Sequence, residues 1–362
     1  MACGPAFVDR LRRAWDEGDA VFPLDTRLPD AARRRLLEAA APTILADEAG
    51  DTRVAGRAVE DGDAVLVATS GTTGDPRVAV LTHDAVRASA LATSARLGVR
   101  VGDGWLACLP PSHVGGLAVV TRALVTGAPL IAAPRFTPEA CADAVRAGAT
   151  LVSLVATALA RIEPSLFRTI VLGGSRPPVD LPDNVVTTYG MTETGSGVVY
   201  DGIPLEGVEV DVRDGVVFLR GPMLLRGWRD GSAALDSDDW LRTGDLGAWQ
   251  GGRLVVEGRE GDLIVTGGEK VWPSVVEDAL ADMEGIADVC VAGVPDPEWG
   301  HAVHAWIVAS PGHEPRIADI RAHVKETLPP WCAPRRVHIV EEIPRTALGK
   351  PRRTELVGRL DR

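Results

Sequence analysis

The sequence predicts an α/β protein: a large N-terminal α/β domain with a β-rich subdomain, followed by a small α+β C-terminal domain. Three observations predict it. Strand-like and helix-like segments alternate from about residue 64 to 190. After residue 200 the runs become short, β-rich and punctuated by glycine. Beyond GREGD (258–262) about 100 residues carry their own pattern of helices and strands.

Taken in order, residues 1–60 are rich in Ala, Arg and Asp and promise one or two helices. VLVATS is a short apolar run entering a Gly-rich turn. THDAVRASALATSARL has helical spacing, with Thr82 as N-cap. WLACLP is a strand, GGLAVVTRALVTG a helix and PLIAAP a strand again. TPEACADAVRAG opens with Thr at the cap, Pro at N1 and Glu in the first turn, a strong helix start. TLVSLV, TIVLGG and NVVTTYG are further strands. Such alternation implies a mainly parallel sheet with helices on its faces, and ligands beyond the carboxyl ends of its strands. GVEVDV, GVVFLRG, WLRTGDLGAW and GRLVVEG read as a small antiparallel sheet or barrel. The last 100 residues predict a helix near 273–284, strands VCVAGV and HAWIVA, a helix near 315–328 and strand RVHIVEEI. A basic tail, PRTALGKPRR, follows.

Composition narrows the function. The 362 residues are 46% hydrophobic and 24% charged, as in ordinary globular proteins. A net charge of −12 argues against a nucleic-acid partner, which demands a basic face. No apolar run of membrane-span length occurs, and no signal-peptide pattern opens the chain. Five scattered cysteines without a CxxC pair suggest a reduced cytoplasm, not a zinc site or disulfide framework. Of 38 Lys and Arg residues, only Lys270, Lys325 and Lys350 are lysine. A lysine kept in a glycine-flanked loop, as Lys350 is, therefore raises a question of chemistry.

Four clusters carry that chemistry. In TSGTTG, glycines 71 and 74 let backbone N–H groups approach a ligand, and Thr69, Ser70, Thr72 and Thr73 add hydroxyls. Such a nest suits phosphate oxygens, though a Ser/Thr-rich turn reads the same way and the GxxxxGK[ST] loop is absent. In YGMTETG, Tyr189 offers a flat face for a base and Thr192 a hydroxyl. Glu193 offers a carboxylate for Mg2+, or else a helix-capping acid. In RTGDLG, Asp245 between two glycines could accept from ribose hydroxyls, or form an Asx-turn. In TALGKPRR, Lys350 supplies a mobile point charge.

TSGTTGDPR, YGMTETG, RTGDLG, GREGD and TALGK stand in the order found in the adenylate-forming superfamily, which the chain resembles over roughly residues 60–355. Within it, LPPSHVGGLAVVTRALVTG, TLVSLVATAL and YGMTETGSGVVYDGIPLEGVEV resemble the o-succinylbenzoate–CoA ligases of menaquinone biosynthesis in their short actinobacterial form. Shortness is part of the likeness, since typical superfamily members carry a long extra stretch before the TSGTTG loop.

The resemblance implies an adenylate-forming domain over 1–259 and a mobile lid over 260–362 carrying Lys350. It implies a two-step, AMP-forming acid–thiol ligation with ATP, Mg2+ and coenzyme A. A carboxylate attacks the α-phosphate of ATP, and the thiol of coenzyme A then displaces AMP. By motif position Thr69, Ser70, Gly71, Thr72, Thr73 and Gly74 would wrap the β- and γ-phosphates. Gly173, Gly174 and Ser175 would line the adenine pocket, with Tyr189, Gly190 and Met191 beside the base. Thr192 would contact the α-phosphate, Glu193 would ligate Mg2+, and Asp245 and Arg259 would hold the ribose. Lys350 would bridge the attacking carboxylate and the α-phosphate. His113 would border the acyl pocket and the coenzyme A channel, and Ser153 and Thr157 would face the aromatic acid. For these three, packed loop or core polar residues are the competing reading. GGEKVWP (267–273) would enter the site for thioester formation. Two departures stand out: Gly261 where relatives carry a charged hinge residue, and Asp75 where lysine is common, with Arg77 as the cation expected to compensate. The partners expected are an aryl carboxylic acid, ATP and coenzyme A, and the place is the cytoplasm. A homodimer is compatible with the sequence. The alternative function is ligation or adenylation of another aryl or acyl acid.

Overall fold

The computed structural model describes residues 3–47, 49–69, 76–178, 180–345 and 351–360. The chain divides into two units. One holds Met1–Asp211, Phe218–Arg242 and Gln250–Leu254, the other Val212–Val217, Thr243–Trp249 and Val255–Arg362.

The first unit opens with α1 (Pro5–Asp16) and α2 (Asp30–Ala40). Pro5 occupies the first helical turn, where a missing N–H costs nothing, and Phe7, Val8 and Leu11 form the buried stripe. A hairpin of β1 (Ile44–Asp47) and β2 (Gly50–Arg53) follows. Strands β3 (Asp63–Ala68) and β4 (Val78–Thr82) come next and pair antiparallel. This corrects the expectation that VLVATS feeds the parallel sheet. The nine residues between the two strands are too few for a parallel crossover, which takes a dozen or more, so the chain must double back.

Thr82 caps α3 (His83–Arg96), its hydroxyl accepting from Ala85 N–H at 3.1 Å. The predicted alternation then appears: β5 (Gly104–Ala107), α4 (Val114–Thr126), β6 (Leu130–Ala132), α5 (Pro138–Arg146), β7 (Ala149–Leu154), the short α6 (Ala156–Leu159), β8 (Thr169–Leu172) and β9 (Val185–Gly190). Thr137 caps α5 as its sequence signature requires, accepting from Ala140 N–H at 3.0 Å. Two antiparallel strands, β10 (Gly197–Tyr200) and β11 (Ile203–Pro204), complete a seven-stranded sheet in the order β11-β10-β9-β8-β7-β5-β6. The pairs from β6 to β9 are parallel. Because β6 lies on one side of β5 and β7 on the other, the strand order reverses there, which makes a crevice at the carboxyl ends. Leu106, Cys141, Val152, Leu154, Ile170 and Leu172 belong to the core under this sheet.

The β-rich stretch supplies β12 (Glu209–Arg213), β13 (Val216–Arg220), β14 (Gly227–Trp228), β15 (Leu241–Gln250) and β16 (Arg253–Arg259). β14 joins β4 to make a three-stranded sheet with β3, while β12-β13-β15-β16 form a four-stranded one.

In the second unit β17 (Ile264–Thr266) and β18 (Glu269–Val271) form a hairpin. Gly267 and Gly268 are its two-residue turn, both at positive φ (59° and 86°), a geometry that selects glycine. Then come α7 (Pro273–Ala281), β19 (Ile286–Asp296), β20 (Gly300–Ala309), α8 (Ile317–Thr327), β21 (Arg336–Ile339) and α9 (Arg353–Gly358). β21 runs parallel to β20, the crossover being α8. Val276, Leu280, Ile320 and Val324 of the helices pack with Val291 and Ile307 of the sheet. A second cluster joins Cys290, Trp306, Ile343 and Leu356. Among the described residues no helix is long and apolar enough to cross a membrane.

His304 lies buried on β20, its Nδ1 3.1 Å from Nε2 of His338. Burial first, then His338 and Arg336, push its pKa down to about 4 against a weaker pull from Asp296. A folded pKa below the unfolded value contributes stability that is fully present above about pH 6.5 and lost as pH falls towards 4. We therefore expect urea unfolding to show this unit weakening by up to about 3 kcal/mol across that window. His304→Gln should flatten the dependence; an unchanged slope in that variant would assign the acid sensitivity elsewhere.

Candidate active site

In the first unit, the carboxyl ends of β5, β7, β8 and β9 gather most of the expected residues along one edge of the parallel sheet. After β5 the chain runs through Leu109 and Pro110 to His113, the N-cap residue of α4. Gly116 makes this possible: a Cβ there would lie 2.3 Å from the Pro110 carbonyl oxygen. Burial, with Arg27 nearby, holds the His113 pKa below its usual value, against the opposing charge of Asp25. Its imidazole is thus neutral at pH 7 and can donate from one nitrogen and accept at the other. Asp25 is itself clasped by Arg27 through two bonds of 2.9 and 2.7 Å.

Ser153 is half-buried on β7, opposite Val171 of β8, and Thr157 is exposed in the first turn of α6. Gly173 and Gly174 follow β8, and Ser175 is exposed beyond them. Gly174 has φ 91° and a Cβ there would meet the Val155 side chain at 3.3 Å; Gly173 would tolerate one.

At the end of β9 the backbone turns back so tightly that a Cβ on Gly190 would lie 2.2 Å from the Ser196 carbonyl oxygen. Met191 then leads into a short 3-10 turn, Thr192–Thr194. The buried Thr194 hydroxyl accepts from Met191 N–H at 2.9 Å and donates to the Ser196 carbonyl at 2.6 Å. Leu225 N–H holds the Glu193 carbonyl at 2.8 Å. The half-buried side chains of Tyr189, Thr192 and Glu193 therefore project from a turn whose backbone is pinned from both sides.

Of the phosphate loop, Thr69 is described, its N–H bonded to the Arg77 carbonyl at 2.8 Å. Ser70, Gly71, Thr72, Thr73 and Gly74 lie outside the described residues, as does Lys350. Arg77, expected to replace a missing lysine, is exposed. Its guanidinium stacks 3.8 Å from the Trp228 ring centre and donates to Ser232 at 2.9 Å.

In the second unit, Asp245 is buried in the middle of β15, so the turn expected at 242–247 is a strand. Arg259, at the end of β16, donates from Nε to Asp245 Oδ1 at 2.9 Å. Thr243 fixes the approach: its hydroxyl donates to the Val217 carbonyl at 2.7 Å and accepts from Asp245 N–H at 3.0 Å. The two residues expected at the ribose thus meet each other as an ion pair. Gly261 sits in a 3-10 turn, Glu260–Asp262, where an added Cβ would meet nothing within 4 Å. Nothing local demands glycine there.

One buried charge escapes the motif reading. Arg122, on α4, is only 2% exposed. Nη2 donates to Ser196 Oγ at 3.2 Å, and the guanidinium lies 4.7 Å from the Trp105 ring centre. Its Nε and Nη1 have no partner among the described residues. It borders a cavity of about 10 Å³ together with Ser89, Thr121 and Gly195. A buried guanidinium left two bonds short is costly, and the space beside it has room for about one water. The signal is there in the chain: an arginine inside the apolar run LAVVTRALV.

Comparisons with known proteins give the family. The sequence profile of the AMP-binding enzymes matches residues 46–222, and that of their C-terminal domain matches 275–350. The chain is 37% identical over 349 residues to a probable 2-succinylbenzoate–CoA ligase of Mycobacterium tuberculosis, covering 88% of this chain and 90% of that one. A 2-succinylbenzoate–CoA ligase of Listeria monocytogenes is 32% identical over 331 residues, covering 82% of this chain and 70% of the relative. Among solved structures, o-succinylbenzoate CoA synthetase of Bacillus subtilis in complex with its acyl-adenylate intermediate superposes with a TM-score of 0.76 at 27% identity, over 96% of this chain and 80% of that one. The same enzyme with ATP and magnesium ion gives 0.76 at 26%, over 96% and 81%. By the pinned turn after β9, the Asp245–Arg259 pair and this identity along nearly the whole chain, the protein belongs to the AMP-binding enzymes, in the family of the 2-succinylbenzoate–CoA ligases.

Proposed function

We propose that the protein joins 2-succinylbenzoate to coenzyme A through an acyl-adenylate, releasing pyrophosphate and then AMP, in the cytoplasm. The observation that carries this reading is the edge of the parallel sheet where Ser153 and Tyr189 stand next to last in their strands and His113, Gly174 and Glu193 follow the ends of theirs. In the first half-reaction a carboxylate oxygen attacks the α-phosphorus and the bond to the β-phosphate breaks. In the second, the thiol sulfur attacks the acyl carbon, AMP leaves with the electron pair, and the thiol proton is released.

The chain's own groups act by placement and charge. Thr69 to Gly74 take the terminal phosphates, Tyr189 the base, Asp245 and Arg259 the ribose, and Thr192 the α-phosphate. The donor set suits magnesium, a hard cation that takes one or two carboxylates and completes its shell with phosphate and water. Glu193 would hold it, and the ion would supply positive charge between phosphate oxygens. Lys350 brings an ammonium to the attacking carboxylate and the α-phosphate. Residues 260–362 act as the lid that carries it. His113, neutral and at the switch point, borders the acyl pocket with Ser153 and Thr157.

The substrate reading is tested by incubating the enzyme with ATP, coenzyme A and a panel of acids. Turnover should be highest with 2-succinylbenzoate; faster turnover of benzoate or of an aliphatic acid would overturn it in favour of a ligase for another acid.

A further inference from the structure

We propose that Arg353 is a positioning residue for adenylation, fixing the chain that bears Lys350. This rests on the reading of Lys350 given above. The two flanks of the lysine segment are stapled together: Arg345 and Pro351 form an antiparallel bridge, and Arg352 N–H donates to the Pro344 carbonyl at 2.8 Å. Each flank is then anchored by an arginine. Arg345 Nη2 meets Asp288 Oδ1 at 2.6 Å. Arg353 makes the larger set. Its Nε donates to the Val291 carbonyl at 2.9 Å, and Nη2 donates to both Glu277 oxygens at 2.7 and 2.8 Å. Glu277 Oε1 in turn accepts from Val291 N–H at 2.8 Å. Arg353 and Glu277 therefore grip both polar groups of one residue of β19.

The Arg353 and Glu277 side chains are only 20% and 17% exposed, so the grip is shielded from water and strong. The remaining nitrogen, Nη1, reaches Asp262 Oδ2 at 3.8 Å. Asp262 closes the 3-10 turn of the expected joint, and its side chain is half in solvent, so this contact is the weak one. One guanidinium thus ties helix α7, strand β19 and the joint to the chain three residues beyond Lys350. A lysine stem has four rotatable bonds, and an ammonium stabilises developing charge only where the backbone beneath it is held.

The test compares half-reactions in Arg353→Met, Arg353→Lys, Glu277→Gln and Lys350→Ala. In Arg353→Met, acid-dependent pyrophosphate exchange should fall about 10- to 100-fold in kcat, as misplacing a catalytic group does. KM for ATP should stay within about threefold, and thioester formation from supplied acyl-adenylate within about twofold, since neither uses the lysine's exact position. Arg353→Lys should recover part of the rate, and Glu277→Gln should fall in the same direction without adding to Arg353→Met, because both break one grip. Should Arg353→Met not fold, Arg353→Lys and Glu277→Gln carry the comparison. Normal adenylation by Lys350→Ala would defeat the lysine reading itself. With Lys350→Ala inactive, wild-type exchange in the position 353 and 277 variants, or equal loss of both half-reactions, would overturn the positioning role alone.

Discussion

Lys350→Ala is expected to lose at least about 100-fold in adenylate formation, the scale on which removing one well-placed donor costs roughly 2.7–4 kcal/mol. The charge itself explains the size. At 4 Å and an effective dielectric near 20, one ammonium interacts with a unit negative charge by about 4 kcal/mol. Neither of the other lysines, Lys270 and Lys325, replaces it by sequence position. Thioester formation from supplied acyl-adenylate should persist, because on the proposed reading the lid has turned Lys350 away in that step. The measurement is a pair of assays, pyrophosphate exchange and single-turnover thioester formation. Equal losses in both would refute a division of labour between the half-reactions and leave Lys350 a structural residue.

Arg122→Met carries the second large effect, on stability, from neutral to about 4 kcal/mol in favour of the variant. Thermal stability should hold or rise. The wild-type protein buries a guanidinium with two nitrogens unpartnered among the described residues, and replacing such a group by an apolar one of similar length is often neutral or stabilising. The loss of the Ser196 bond and of the Trp105 contact works the other way, but each is a single modest interaction. A variant that melts several degrees lower would show that the Ser196 bond and the Trp105 contact outweigh the cost of the buried charge.

Much of this fold and site is legible in the sequence. Thr82 and Thr137 cap their helices as their sequence signatures require, because a cap is a local device that needs only a hydroxyl three residues ahead of an N–H. The motif order places Glu193 beyond β9 and pairs Asp245 with Arg259. What the sequence hides depends on partners distant along the chain. VLVATS looks like a parallel strand, yet it pairs back onto β4, and the length of the intervening loop is the cue that separates the two. RTGDLG looks like a turn because of its two glycines. It is a strand, and a Cβ on Gly247 would sit 2.7 Å from the Val255 carbonyl oxygen, so that glycine serves close strand packing instead. Arg77 stacks on Trp228, 151 positions later, a contact no local pattern announces.

The reaction class is legible along the linear chain, since the motifs that carry the family resemblance are short runs in a fixed order. How each charge is paired is settled only by packing. Burial and pairing are set by residues far apart in the chain, so Arg122 emerges as a guanidinium still short of acceptors, Arg77 as one stacked on a distant tryptophan, and Arg353 as the anchor of the lysine's chain. A charge left unsatisfied in a dry interior must find a counterpart, and only the folded arrangement tells which charge that is.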